Sequence, residues 1–159
     1  SGVPVGLGEP VFDKLDAELS KAIMSIGAIK GIEFGAGFAA SQMTGSQNND
    51  AFISDGEGRS IHISKRTNHS GGVLGGMSDG SAIIFNAAVK PTPSIAAKQD
   101  TVTQSGEEIE VEIHGRHDPL VVPRAVVVVE SMAAITIFDM LLRNMAVRMD
   151  NLKKVYFDL

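Results

Sequence analysis

The sequence predicts an α+β protein in which buried helices pack against antiparallel sheet. Three observations predict it: a four-residue apolar repeat near the N-terminus, a strictly alternating stretch around residue 110, and a long apolar run from 125 to 142. Strands and helices do not alternate in the regular βαβ manner of a doubly wound sheet.

In the first of these, Val11, Leu15, Leu19 and Ile23 recur every four residues, with Phe12, Ala22 and Ile26 widening the stripe. The spacing predicts a helix from Pro10 to about Ile26. Pro10 suits a first helical position, Asp13 the first turn, and Gly27 the stop. Ile29 to Phe34 then reads as a strand. Gly35, Gly37 and the polar run from Gly45 to Asp50 read as loop. Ile61 to Ile63 is a brief strand. Thr67 to Gly80 is a long glycine-rich loop, with Gly71, Gly72, Gly75, Gly76 and Gly80. Val73, Leu74 and Met77 between those glycines argue against disorder.

Ala82 to Val89 reads as a strand ended by Pro91 and Pro93. From Glu107 to Ile113 the chain alternates, with Ile109, Val111 and Ile113 on one face and Glu108, Glu110 and Glu112 on the other. That is a strand with one face in solvent, as in antiparallel sheet. His114 to Pro119 is loop. A long helix follows Pro123 and runs to about Arg148. Its stretch from Ala125 to Leu142 has roughly the ~20-residue length of a membrane span. Glu130 and Asp139 interrupt it, and a carboxylate near the centre of a span costs about 2.5–3.5 kcal/mol. The expectation is a core helix buried between layers, with no membrane partner. Residues 1–149 form one unit, and 150–159 a polar, partly loose tail.

The 159 residues suit one compact domain, with 43% hydrophobic and 21% charged side chains. Fourteen basic against nineteen acidic residues give a net charge of -5. That lacks the basic bias of a nucleic-acid binder. The chain has no cysteine, which excludes disulfides and thiolate chemistry. The N-terminus lacks the basic and apolar regions of a signal peptide. None of the four histidines has metal-ligand spacing, so no metal site is expected. Met132, Met140, Met145 and Met149 are packing residues.

Three segments carry chemistry. In Lys90-Pro91-Thr92-Pro93-Ser94, two prolines fix the backbone while a cation and two hydroxyls project from it. This suits a phosphate or an electron-rich ring edge, or simply a rigid strand exit. In Asn68 to Gly80, paired glycines allow close backbone approach to a flat ligand or phosphate, or make tight turns between strands. Neither a P-loop nor a dinucleotide fingerprint fits it. In Gly115-Arg116-His117-Asp118-Pro119, an arginine able to clamp an anion adjoins an aspartate able to accept a proton. The plainer reading is a surface ion pair worth about 0–1 kcal/mol. A stand-alone module that binds a flat ligand or a phosphate, and an oligomerisation domain, stay open beside catalysis.

Taken in order, Gly6 to Ala17, Met24 to Gly31, Gly45-Ser46 with Asn49-Asp50, Asn68 to Gly80, Lys90 to Ile95, and Gly115 to Pro119 with Arg124 to Val126 resemble the chorismate synthases. The match is to the C-terminal half of that family. The other half carries its two catalytic histidines, substrate-binding arginines and an Arg-Ser-Ser flavin contact. Leu120 and Val127 stand where the family often has Cys and Pro. The resemblance implies a layered β-α-α-β sandwich in a cytoplasmic homotetramer. It implies a lyase of aromatic amino-acid biosynthesis in the shikimate pathway. That enzyme turns 5-enolpyruvylshikimate 3-phosphate into chorismate and phosphate by anti 1,4-elimination. Reduced FMN is its cofactor; NADP is associated with the family, and reduction of the flavin by NADPH within the protein itself stays open. By position, Gly27, Ala28, Gly75, Lys90, Pro91, Thr92, Pro93, Ser94 and Arg116 contact FMN. Arg116 also faces the substrate phosphate, and Asp118 helps remove the substrate proton near the flavin N5 edge. The half by itself is expected to be inactive.

Overall fold

The computed structural model describes residues 1–9, 11–55, 62–115 and 120–157. Helices and strands are mixed, in the order α1 (Leu15–Met24), β1 (Ile29–Phe34), a 3-10 turn (Gly37–Gln42), α2 (Gly45–Asn48), β2 (Phe52–Asp55), β3 (His62–Lys65), β4 (Val73–Leu74), β5 (Met77–Ser78), β6 (Phe85–Val89), β7 (Lys98–Val102), β8 (Glu108–Glu112), α3 (Val122–Val147) and α4 (Met149–Tyr156). The strands pair two by two, β1 with β6, β2 with β3, β4 with β5 and β7 with β8. All four pairings are antiparallel, as the alternation near residue 110 predicts.

The core lies where α1 meets α3. Leu15, Leu19 and Ile23 of α1 are buried completely, following the four-residue repeat. Leu15 and Leu19 meet Met140 on α3, with Ala133, Ile137 and Leu141 beside it, while Leu7 and Val73 close the cluster. Residues 133, 137, 140 and 141 make one face of α3, three or four apart in sequence. Arg143 on that helix donates to Glu9 at 3.2 Å and Asp13 at 2.9 Å, and Asn144 donates to the Gly6 carbonyl.

Several expectations are corrected. The first helix begins at Leu15, not Pro10, which lies outside the described residues. Val11 and Phe12 imitate the helical period but are exposed, because the chain turns there: Glu9 N–H donates to the Asp13 carbonyl, and Leu15 N–H donates to the Gly76 carbonyl at 2.8 Å. Gly45–Asn48 is one helical turn, capped reciprocally by Thr44 and Gln47, rather than loop. The glycine-rich stretch holds the β4–β5 hairpin. The strand expected from Ala82 starts at Phe85, and its partner Ile29–Phe34 matches the expectation residue for residue. Strands β2 and β7 had no periodic signal.

The largest correction concerns burial. Strand β8 is exposed along its whole length, Ile109 and Val111 included. Helix α3 is long and apolar enough to cross a membrane by length and composition, yet only 17% of its most apolar window is buried. Its second face, with Val128, Ile135, Phe138, Leu142 and Met145, is exposed. The helix is apolar nearly all round, but the described residues cover one side of it. The tail expected to be loose forms α4, with Asp150 in its first turn and Lys153 and Lys154 in its last, as the helix dipole favours.

Candidate functional site

Antiparallel pairing assembles the first part of the site. Ile29 opens β1 and pairs with Val89, which closes β6. The residues just outside that pair, Ala28 and Lys90, are therefore neighbours, and Lys90 N–H donates to the Ala28 carbonyl at 2.8 Å. Ala28 has φ +72, a left-handed backbone that costs a residue with a Cβ about 1–2 kcal/mol. Gly27, Ala28 and Lys90-Pro91-Thr92-Pro93-Ser94 thus share one end of the β1–β6 ribbon. Gln99 of β7 donates to the Pro93 carbonyl at 3.0 Å, tying the proline segment to the following hairpin.

Gly75 stands apart from this group. It forms the tip of the β4–β5 hairpin, whose Gly76 carbonyl caps the N-terminus of α1, whereas Gly27 follows its C-terminus. At 1.5 Å of rise per residue, α1 separates the two by about 15 Å. Gly75 has φ +61, and a Cβ placed there would meet no atom within 4 Å. The tip is open, flanked by the half-exposed Leu74 and Met77. Arg116 and Asp118, with His117 between them, lie outside the described residues.

Two observations test whether these residues fit a bound cofactor. Thr92 Oγ1 is buried and has no hydrogen-bond partner. A buried hydroxyl left unpaired costs about 1–3 kcal/mol, so this one is available to a polar group brought by a ligand. The open left-handed tip at Gly75 likewise offers backbone with room for an atom against it. Both fit a flat, phosphorylated ligand. Among the described residues no cluster of His, Cys, Asp and Glu is arranged to hold a metal ion.

A further polar cluster escaped the sequence reading. Lys65, at the end of β3, is buried with Asp50 and Asp79, their side chains 3%, 8% and 8% exposed. Its ammonium donates to Asp79 at 2.5 Å, Ser70 at 2.7 Å and Asp50 at 3.3 Å. Burial pushes the Asp50 carboxyl up, but donors from the Ser70 N–H, the Thr67 hydroxyl and the His69 N–H outweigh it and hold the group well below the usual carboxylate range. Asp79 is lowered in the same way: burial raises it, and the Lys65 ammonium and Ser81 N–H prevail. No local pattern marks Lys65, which sits among polar residues from Ser64 to Ser70.

Fold and site together define a mixed helix-and-strand protein whose site residues lie on loops at strand ends and hairpin tips. The sequence profile of the family described as chorismate synthase matches residues 1–142, and the chain belongs to that family. The chorismate synthase of Lachnoclostridium phytofermentans is 64% identical over 156 residues, 98% of this chain and 42% of the relative. That of Agathobacter rectalis is 66% identical over 157 residues, 98% of this chain and 41% of the relative. That of Synechococcus elongatus is 55% identical over 144 residues, covering 91% and 39%. A crystal structure of chorismate synthase superposes with a TM-score of 0.70 at 32% identity, covering 99% of this chain and 40% of that one. The chain spans about two fifths of the length of these relatives, and the stretch it matches is their C-terminal part.

Proposed function

We propose that the chain is the cofactor-holding part of a chorismate synthase, a lyase that converts 5-enolpyruvylshikimate 3-phosphate to chorismate and phosphate. The observation that carries this beyond family membership is the buried, unpartnered Thr92 hydroxyl in the very segment expected to face FMN. In the elimination a proton leaves one end of a four-atom array and phosphate leaves the other, and the freed electron pair becomes the new double bond. Reduced FMN, when bound, would lend electron density to the substrate as its bond to phosphate breaks and would recover it from the substrate as the proton leaves.

The chain's own residues bind and orient. Thr92 Oγ1 donates to a polar atom of the cofactor, and the two prolines around it hold that donor rigid. Lys90, anchored through its N–H to Ala28, brings a point charge to the same end of the ribbon. Gly75 lets the hairpin backbone lie against the ligand from the other end of α1, a span suited to an elongated molecule with a ring and a phosphate. Arg116 clamps an anion, and Asp118 accepts the substrate proton. The uncovered face of α3 is the contact for the rest of the full-length protein, which completes the β-α-α-β sandwich. The whole assembles as a cytoplasmic homotetramer.

The test uses the full-length protein and two quantities, the FMN dissociation constant and the single-turnover rate. Asp118→Asn is expected to lower turnover by about 10²–10⁴ with FMN affinity nearly kept. Arg116→Ala is expected to weaken FMN or substrate binding instead. Turnover of Asp118→Asn within a few-fold of the parent removes the base assignment. The isolated 159 residues are expected to form no chorismate with reduced FMN supplied, and measurable turnover would refute the division of labour.

A further inference from the structure

We infer that Lys65 is a positioning residue for the glycine hairpin, and through it for the ligand that the Gly75 tip meets; the second clause rests on the flavin reading above. The geometry is specific. Ser70 and Asp79 are the two feet of the hairpin: one stands just before Gly71, the other just after β5. The Asp79 N–H also donates across the hairpin base to the Gly72 carbonyl at 3.1 Å. The Lys65 ammonium bridges both feet, and its third proton goes to Asp50. All three of its donors are thereby used. Asp50 in turn accepts from Thr67 Oγ1, the His69 N–H and the Ser70 N–H at 2.7 to 2.9 Å, which sets the turn leading into the hairpin. One buried cation thus joins both feet of the hairpin to Asp50, which in turn holds the turn at its entry.

Beyond the feet, the hairpin is held by the Asn68 side chain, which accepts from the Gly72 N–H at 2.7 Å, by Val73 in the core, by backbone bonds and by one small hydroxyl. Ser78 exchanges backbone bonds with Gly6 and Leu7, its hydroxyl links Leu7 and Pro4, and Gly76 caps α1. A two-residue strand pair has little intrinsic stability, so its position depends on what grips its base. Two carboxylates face one ammonium, so the cluster is not a simple neutral pair that an apolar pair would replace without consequence.

The test compares Lys65→Met, Asp79→Asn, and Lys65→Cys carrying an aminoethyl group on its sulfur, attached in denaturant before refolding. The chain has no other cysteine, so that modification restores the cation at one place only. Amide exchange in the unliganded chain is expected to quicken at Gly72, Ser78 and Asp79 by at least about tenfold in the first two variants, while Ile29 to Phe34 stays within about twofold. The aminoethyl variant is expected to return to parent rates. In the full-length protein the FMN dissociation constant of Lys65→Met and Asp79→Asn should rise about tenfold in parallel. Exchange that stays at parent rates, or that rises equally throughout the chain, overturns the positioning role. Should Lys65→Met fail to fold, Asp79→Asn decides the same question. Selective loosening with unchanged FMN affinity overturns the link to the ligand. If the unsubstituted full-length protein does not bind FMN, the flavin reading falls, and the exchange rates still decide the positioning.

Discussion

Helices α1 and α3 are both strongly apolar, and they end in opposite situations. Leu15, Leu19 and Ile23 of α1 are fully buried, whereas Ile135 and Phe138 of α3 are 62% and 60% exposed. The sequence of α1 has one apolar stripe and one charged face, so a single neighbour satisfies it. The sequence of α3 is apolar nearly all round, so a single neighbour leaves half of its apolar surface in water. Periodicity therefore announces how many partners a helix requires, while the partners themselves have to be supplied by other residues. The chain covers about two fifths of its relatives, and α3 is where the remaining surface demand is concentrated.

The largest effect that bears on this contrast is in the shared core. Leu19→Ala is expected to lower stability by about 2–5 kcal/mol, through lost burial and the cavity left behind. Phe138→Ala in the same 159-residue chain, kept dilute enough to be monomeric, is expected to stay within about 0.5 kcal/mol, because in the single chain its ring meets solvent. Urea unfolding of the two variants measures both. Repeating Phe138→Ala in the full-length protein sharpens the comparison: there it should approach the loss seen for Leu19→Ala. Equal, small losses in both settings would show that nothing packs on that face.

A second expected outcome concerns association. Ile135, Phe138, Leu142 and Met145 repeat at three- and four-residue spacing, the pattern of a helix seam. An exposed stripe of that kind seeks a partner. At tens of micromolar, an order set by common interface affinities, light scattering should find the isolated chain as a dimer or larger. Phe138→Glu should shift it to monomer. A clean monomer without substitution would mean that α3 is kept soluble by some other contact.

How much of this was legible follows from where each signal was local. Ile29–Phe34 was legible because a short β-branched run between Gly27 and Gly35 has boundaries written into it. The start of α1 was not, because Val11 and Phe12 continue its period while the Gly76 carbonyl, sixty residues away in sequence, takes the Leu15 N–H and sets the true beginning. The β4–β5 hairpin was hidden by strands only two residues long. In the site, the neighbourhood of Ala28 and Lys90 follows from strand pairing that local pattern does not state, though the resemblance brought both to attention. Lys65 was invisible: a lysine in a polar run reads as solvated, and its burial depends on Asp50 and Asp79 arriving from other segments. Strand β3 inverts hydropathy, since Ile63 is 66% exposed and Lys65 is buried.

Acid should weaken the hold on the hairpin side of the molecule. The Asp50 and Asp79 pKa values are both depressed in the folded state. Their stabilisation is therefore complete above the ordinary carboxylate value, about 4, and is lost as pH falls below it toward the folded values. The groups facing Asp50 are the Lys65 ammonium and the His69 ring, with Asp79 on the far side of Lys65. Denaturant midpoints measured from about pH 5 to about pH 2 should decline, and Asp50→Asn should flatten the decline. A midpoint indifferent to pH in that window would mean that the carboxylates are not specially held.

A modest expected effect on folding is the one most telling for the site. Gly75 has φ +61, so Gly75→Ala places a Cβ in left-handed backbone at about 1–2 kcal/mol. It meets no neighbour within 4 Å, so no clash adds to that strain. At Gly35 the same substitution would drive a Cβ into the His69 carbonyl, and the fold there could not absorb it. The two glycines thus have left-handed backbone for different reasons, close packing at Gly35 and open space at Gly75. If the space at Gly75 is where FMN lies, a methyl group there should weaken FMN binding in the full-length protein by at least about tenfold, since it takes the room of the ligand itself. Thermal unfolding of the unliganded protein and an FMN titration together decide it. A stability loss near the strain value with FMN affinity unchanged would move the ligand away from the hairpin tip and leave Thr92 and its neighbours at the end of the β1–β6 ribbon as the contact to rebuild from.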